Sequence, residues 1–202
     1  MKRAIIDLHL DPRVYTIADF VSDAECSHLI ARAKTKTMER ARVSGGTEGV
    51  LSKGRTNDVC WVDHTADIAC KRIAERVAGL VGMPLNHAEH FQIIRYGVGE
   101  EYRPHFDAFD PETEAGKRNW EGGGQRIITV LGYLNNVKKG GQTEFPKLKI
   151  SVPPEKGKLL VFHNCTAGTT VRHPLSLHAG CPVEEGEKWA FNLWFRAEKR
   201  RD

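Results

Sequence analysis

The spacing of apolar and polar positions divides the chain into a helical part followed by a strand-rich part. Ser22 and Glu25 have the spacing of a capping box, and "CSHLIARAK" follows with apolar residues at helical intervals. A second helix is predicted from about Thr65 to Leu80, with Ala66, Ala69, Ile73, Val77 and Leu80 on one face. Between them, "SGGTEGVLSKGRTND" is rich in Gly, Ser and charge and reads as a long mobile loop, of the kind that is usually functional in a compact domain. After Leu85 the period changes to alternation. Apolar or β-branched runs at "HFQIIRY", "RIITVLGYL", "KISV", "KLLVF" and "KWAFNLWFR" are separated by Gly, Pro and Asn clusters. Short strands after helices, without βαβ alternation, predict an α+β, mainly β chain: an antiparallel sandwich or jelly roll with the helices packed on one outer face. No repeat, low-complexity segment or linker interrupts the 202 residues, so a single domain is expected.

Composition adds exclusions. At 40% hydrophobic and 28% charged residues the chain is an ordinary soluble globular protein. The net charge of +4 is spread among acids, and the one basic cluster, "RAEKRRD", reads as a solvated end rather than a nucleic-acid patch. Five scattered cysteines, Cys26, Cys60, Cys70, Cys165 and Cys181, contain no C-x-x-C pair, which argues against a zinc site or a full disulfide framework. "MKRAIIDLHLDPRVYTI" carries charges inside its short apolar stretch, and no apolar run has membrane-spanning length. A cytoplasmic protein in a reducing compartment, with no nucleic-acid or membrane partner, is the expectation.

Candidate chemistry begins in "YGVGEEYRPHFDAFD", where His105 and Asp107 stand two apart. In a strand both side chains leave one face and can grip one ion. His9 and Asp11 have the same spacing, but Pro12 follows at once and nothing around them supplies a third ligand. His163, His173 and His178 are candidates for that ligand; His178, in "SLHAGCPV" just before the turn "EEGE", is placed to pair back to the first strand. Two His and one carboxylate with open positions describe the facial triad of non-haem Fe(II) oxygenases. In "KWAFNLWFR", alternation puts Trp189, Phe191, Leu193 and Phe195 on a packing face and Lys188, Ala190, Asn192, Trp194 and Arg196 on the other. A lysine turned into a barrel interior calls for an anionic partner, which a dicarboxylate co-substrate supplies.

At this point the chain resembles the prolyl 4-hydroxylase family of 2-oxoglutarate/Fe(II)-dependent oxygenases. The match runs in order through "RYGVGEEYRPHFD", "GGGQRIITVLGYLN", "GGQTEFP", "PPEKGKLLVF" and "SLHAGCPVEEGEKWAFNLW", covering roughly Glu89 to Arg196, with looser agreement over Glu25 to Leu85. The resemblance implies a double-stranded β-helix (jelly-roll) core at about 86–197 and helical support at about 20–85. It makes His105, Asp107 and His178 the iron ligands and Lys188 the partner of the distal carboxylate of 2-oxoglutarate, with Tyr96, Thr143 and Trp194 completing that pocket. It places Tyr102 and Arg126 in catalysis and, with Arg55, against the substrate. Arg196 stands where plant-type relatives have His, which alters the substrate side, and "GGQT" replaces the commoner "GGET".

The implied reaction uses Fe(II), 2-oxoglutarate and dioxygen, with ascorbate as reductant, to hydroxylate prolyl residues of a peptide and release succinate and CO₂. The first Gly-rich loop and "AFDPETEAGKRNWEGGGQR" are expected to close over an extended peptide, whose polyproline conformation loses little entropy on binding. Hydroxylation of a free amino acid or other small molecule is the alternative within the class; a non-catalytic jelly-roll binder and a nucleic-acid demethylase are the rivals outside it.

Overall fold

The computed structural model describes residues 4–43 and 49–201. Sixteen strands occur among them: β1 Ile5–Leu10, β2 Arg13–Ile17, β3 Glu39–Arg40, β4 Arg42–Val43, β5 Val50–Leu51, β6 Asp58–Val62, β7 Phe91–Tyr96, β8 Tyr102–His105, β9 Arg126–Tyr133, β10 Lys139–Gly140, β11 Thr143–Phe145, β12 Ile150–Val152, β13 Leu159–His163, β14 His178–Gly180, β15 Val183–Glu185 and β16 Lys188–Arg196. The helices are α1 Asp23–Lys34, α2 Ile68–Val81 and α3 Glu114–Glu121. An eight-stranded sheet in the order β1-β2-β13-β9-β16-β7-β6-β3 faces a four-stranded sheet in the order β12-β11-β14-β8, the jelly-roll arrangement that the strand pattern predicts.

β16 shows why the sheets stack this way. It pairs with β7 on one side and β9 on the other, so it is central and buried on both faces. Trp189, Phe191, Leu193 and Phe195 join the apolar layer shared with α1 and α2, while Ala190 belongs to the layer between the sheets. A Cβ on Gly132, opposite Phe191 in β9, would collide with the Phe191 ring, so this position needs glycine for close packing rather than for backbone freedom.

The helices form from local signals. Ser22 caps α1 as expected: its backbone N–H donates to Glu25 Oε2 at 2.9 Å and its Oγ accepts from the Glu25 N–H at 3.3 Å. α2 starts later than the sequence pattern predicts, because Asp67 is the cap and accepts from the Cys70 N–H at 2.8 Å. Its buried face is therefore Cys70, Ile73, Ala74, Val77 and Ala78, with Ala66 left outside the helix.

Three further expectations need correction. The hairpin β1–β2 was not foreseen; β2 buries Val14, Tyr15 and Ile17 against β13. The helical support also contains β3 to β6, and the first Gly-rich loop becomes the β4–β5 hairpin where it is described, residues 44–48 lying outside the described residues. The second loop contains α3, which Thr113 caps by accepting the Gly116 N–H at 3.0 Å.

Candidate active site

β8 and β14 pair so that His105 stands opposite His178. Asp107 lies just past the end of β8, in a bend rather than in the strand, and returns its carboxylate between the two rings. His105 Nε2 is 3.7 Å from Asp107 Oδ1 and His178 Nε2 is 3.5 Å from Asp107 Oδ2. One ligand atom from each residue falls within 4.8 Å of the other two. The remaining ring nitrogens are occupied: His105 Nδ1 bonds the Arg103 carbonyl at 2.8 Å and His178 Nδ1 the Ser176 carbonyl at 3.0 Å. A carbonyl only accepts, so each Nδ1 carries the proton and each Nε2 offers its lone pair inward.

Electrostatics favour the metal-binding forms of His105 and Asp107. Burial, aided by the neighbouring His178, pushes His105 down to about 3. Burial opposes ionisation of Asp107, but His178, His105 and Arg126 outweigh it and hold the carboxyl at about 2. Thr129 Oγ1 donates to Asp107 Oδ2 at 2.7 Å and itself accepts from Asn164 Nδ2 at 2.8 Å, which fixes the carboxylate from behind. Tyr102 stacks on the His105 ring with centroids 3.4 Å apart. Two imidazoles and one carboxylate converging from one side fit Fe(II) with open positions opposite.

Deeper in the same cavity, of about 750 Å³, lies Lys188. Its Nζ donates to the Gly141 carbonyl at 2.7 Å and lies 5.1 and 5.5 Å from the Tyr96 and Tyr133 ring centres. No carboxylate pairs with it among the described residues, and burial pushes its pKa down to about 8. Thr143 Oγ1, on the neighbouring β11, accepts from the Tyr133 hydroxyl at 2.9 Å. Gly180 makes room for Tyr96: a Cβ there would stand 3.2 Å from the Tyr96 hydroxyl oxygen. A buried ammonium without an anionic partner, ringed by hydroxyls, fits the far carboxylate of a dicarboxylic acid whose other end reaches the metal donors.

The mouth of the cavity is cationic. Arg126 donates to both oxygens of Glu89, at 2.6 and 2.7 Å, and stacks over Trp194 at 3.6 Å. Arg196 reaches the same Glu89 at 3.2 Å and also donates to the Asn119 carbonyl of α3. Arg55 is buried against Tyr102, its guanidinium 4.5 Å from the ring, and donates to Gln92 Oε1 at 3.1 Å and Asn57 Oδ1 at 3.2 Å.

The profile of the 2OG-Fe(II) oxygenase superfamily matches residues 91–196, the stretch that carries every one of the metal donors and the lysine. Probable prolyl 4-hydroxylases 7 and 6 of Arabidopsis thaliana are 35% and 37% identical over 96% and 94% of this chain. The chain belongs to the prolyl 4-hydroxylase family of the 2OG-Fe(II) oxygenases. It spans 66% and 71% of the lengths of those two relatives. Among solved structures, the viral collagen prolyl hydroxylase of Paramecium bursaria Chlorella virus-1, in its 2OG complex, superposes with a TM-score of 0.72 at 28% identity, over 91% of this chain and 96% of that one.

In this prolyl 4-hydroxylase family member, every residue that the resemblance assigns to the iron, the co-substrate or the substrate, from Arg55 to Arg196, lines this cavity. The rival donors lie elsewhere. His163 is outside the cavity lining, His173 Nδ1 accepts the Leu175 N–H at 3.1 Å, and His9 Nδ1 is bound to the Pro12 carbonyl at 2.9 Å. Arg196, expected on the substrate side, lines this cavity with its guanidinium buried and tied to Glu89 and to the Asn119 carbonyl of α3. Glu89, Tyr133, Thr129 and Asn164 were not foreseen. For Tyr133 and Thr129 a signal was present, since alternation in "RIITVLGY" puts both on the face of Leu131, which lines the cavity.

Proposed function

We propose that the chain is a 2-oxoglutarate- and Fe(II)-dependent dioxygenase that hydroxylates prolyl residues in a peptide or protein and releases succinate and CO₂. The observation that carries this reading is the two-His, one-Asp donor set sharing a cavity with a buried lysine that has no anionic partner among the described residues. His105, Asp107 and His178 hold the iron. Lys188, Thr143 and Tyr96 hold 2-oxoglutarate, with Trp194 as a wall. The iron and its co-substrate supply the oxidising power for C–H hydroxylation, while the protein orients the reactants and limits wasteful turnover. Ascorbate is the proposed reductant.

Tyr102, Arg126, Arg55 and Arg196 form the substrate side. Tyr102 and Arg126 stand nearest the donors and are the residues proposed to act on the bound substrate, because Tyr102 lies against His105 and Arg126 influences Asp107. A free amino acid needs an anchor for its carboxylate. Arg126 and Arg196 are already engaged with Glu89, which favours a peptide over a free amino acid. The relatives, prolyl 4-hydroxylases and a collagen prolyl hydroxylase, support the same choice. A cytoplasmic setting is proposed with it, supported by five cysteines that are all free thiols.

The test is incubation with Fe(II), 2-oxoglutarate, ascorbate and a panel of proline-rich peptides beside free proline and free lysine. Mass spectrometry should show the gain of one oxygen atom on prolyl residues of a peptide. Faster hydroxylation of free proline than of any peptide would refute the peptide reading.

A further inference from the structure

A second group of metal-ligating side chains lies where β6 ends and β7 begins. The two strands pair as far as Val62 opposite Phe91, and Asp63, His64 and His90 come immediately beyond that pair. One donor atom from each falls within 4.8 Å of the others. His90 Nδ1 is 3.4 Å from Asp63 Oδ1, and the two imidazole centres are 5.2 Å apart. None of the three lines the cavity described above.

Two features distinguish this group from a chance surface cluster. Among the described residues, His64 Nδ1 and His90 Nδ1 are both shielded from solvent and neither has a hydrogen-bond partner. Shielded ring nitrogens that make no hydrogen bond are costly unless something else supplies the missing contact, and for His90 Nδ1 the polar neighbour is the Asp63 carboxylate at 3.4 Å. The second feature is spacing. Two ligands on one tetrahedral ion with bonds of about 2.1 Å stand about 3.4 Å apart, which matches the His90–Asp63 separation of 3.4 Å. By contrast, in the His28, Asp67 and Cys70 group the donors already satisfy one another: His28 Nε2 bonds Asp67 Oδ2 at 2.9 Å, and Asp67 caps α2.

We propose that Asp63, His64 and His90 form a second binding site, for a borderline divalent cation of the Zn(II) class, distinct from the iron cradle. Imidazole and carboxylate donors suit Zn(II), Co(II) and Ni(II), whereas Ca(II) and Mg(II) favour all-oxygen shells. Asp63 is pre-set, since its Oδ1 accepts the Thr65 N–H at 2.7 Å and the Thr65 hydroxyl at 2.8 Å. A bound ion would tie the turn before α2 to the start of β7, one residue from Glu89. Its effect is on stability rather than on the reaction.

The experiment uses the full chain carrying His105→Ala and His178→Ala, which removes two of the three iron donors. Equilibrium dialysis against Zn(II) should leave one equivalent bound. Adding His64→Ala and His90→Ala should remove it, with affinity lowered at least a hundredfold, and Zn(II) should raise the unfolding temperature of the wild-type chain but not of one carrying His64→Ala and His90→Ala. No zinc retained in the first background, or equal retention after the added substitutions, overturns the proposal. If the multiply substituted chain does not fold, His90→Gln in the wild-type chain decides: a fall from two equivalents of Co(II) to one supports the site, and two equivalents rule it out.

Discussion

Glu89 holds Arg126 through both carboxylate oxygens, at 2.6 and 2.7 Å, and lends one of them to Arg196 at 3.2 Å. One acid thus neutralises part of a two-arginine wall that is itself buried or nearly so. Burial opposes its ionisation, but Arg126 and Arg196 outweigh that and hold the carboxyl below its ordinary value. A folded-state value below the unfolded one contributes stability that is present above the unfolded pKa and is lost as pH falls through the folded one.

Glu89→Gln keeps the side-chain shape and removes the charge, leaving two cations uncompensated. The loss expected in urea denaturation at neutral pH is on the order of 3 kcal/mol. The variant should also lose part of the wild-type dependence of stability on pH in the acidic range below the usual glutamate value. A denaturation midpoint unchanged at neutral pH would mean that the arginines have another counter-charge.

His105→Ala, Asp107→Ala and His178→Ala should each abolish Fe(II)-dependent succinate release, because two remaining donors leave too weak a site. His163→Ala, outside the cavity lining, should retain it. Thr129→Val removes the hydroxyl that fixes Asp107 at 2.7 Å and should weaken Fe(II) affinity by about 10- to 100-fold, in the range of outer-shell substitutions at metal sites. Fe(II) titration separates that loss from a change at the co-substrate end, where the KM for 2-oxoglutarate should stay within a few-fold of wild type.

Lys188 gives a pH signature. Burial lowers its pKa to about 8, so above that value the ammonium must regain a proton to meet the dicarboxylate, and the apparent affinity for 2-oxoglutarate should fall by up to about tenfold per pH unit. For folding, stability rises with pH as it does for Glu89, but as a penalty removed: a lysine with a depressed pKa costs stability while charged, and that cost fades as pH rises from the folded value towards the unfolded one. Lys188→Ala should weaken 2-oxoglutarate binding at neutral pH, a loss on the order of 3 kcal/mol. Lys188→Arg should bind weakly but without the alkaline fall, since a guanidinium stays charged. An affinity for 2-oxoglutarate that is flat from pH 7 to pH 10 in the wild-type chain would remove Lys188 from the role.

The period-2 alternation of β16 made both its packing face and its lysine face legible, since a central strand carries two distinct environments in one run. The His-x-Asp pair was legible by spacing even though Asp107 turned out to lie beyond the strand. β1 was not legible: its side chains are mostly exposed, so no burial pattern marks it, and Pro12 interrupts the run before β2. Nor was α3, because "EAGKRNWE" is polar nearly all round and buries only Ala115 and Gly116; its Thr113 cap, rather than an apolar stripe, fixes its start. Glu89 was invisible as a partner because only the closing of β9 and β16 beside it brings Arg126 and Arg196 to one carboxylate, and no sequence period encodes that meeting.

Arg196 links the wall to α3 through the Asn119 carbonyl, and so governs the segment that follows Asp107. Gly116 lets that helix pack closely on the preceding turn: a Cβ there would run into the Asp110 carbonyl. Arg196→Ala should therefore loosen α3 without touching the metal donors. Trypsin should cut after the exposed Lys117 and Arg118 faster in the variant than in the wild-type chain, while Fe(II) affinity stays unchanged. A hydroxylatable peptide should slow cleavage in the wild-type chain, because closing α3 over an extended substrate buries both sites. Equal cleavage rates in the two proteins would show that the Arg196 contact with the Asn119 carbonyl does not hold α3.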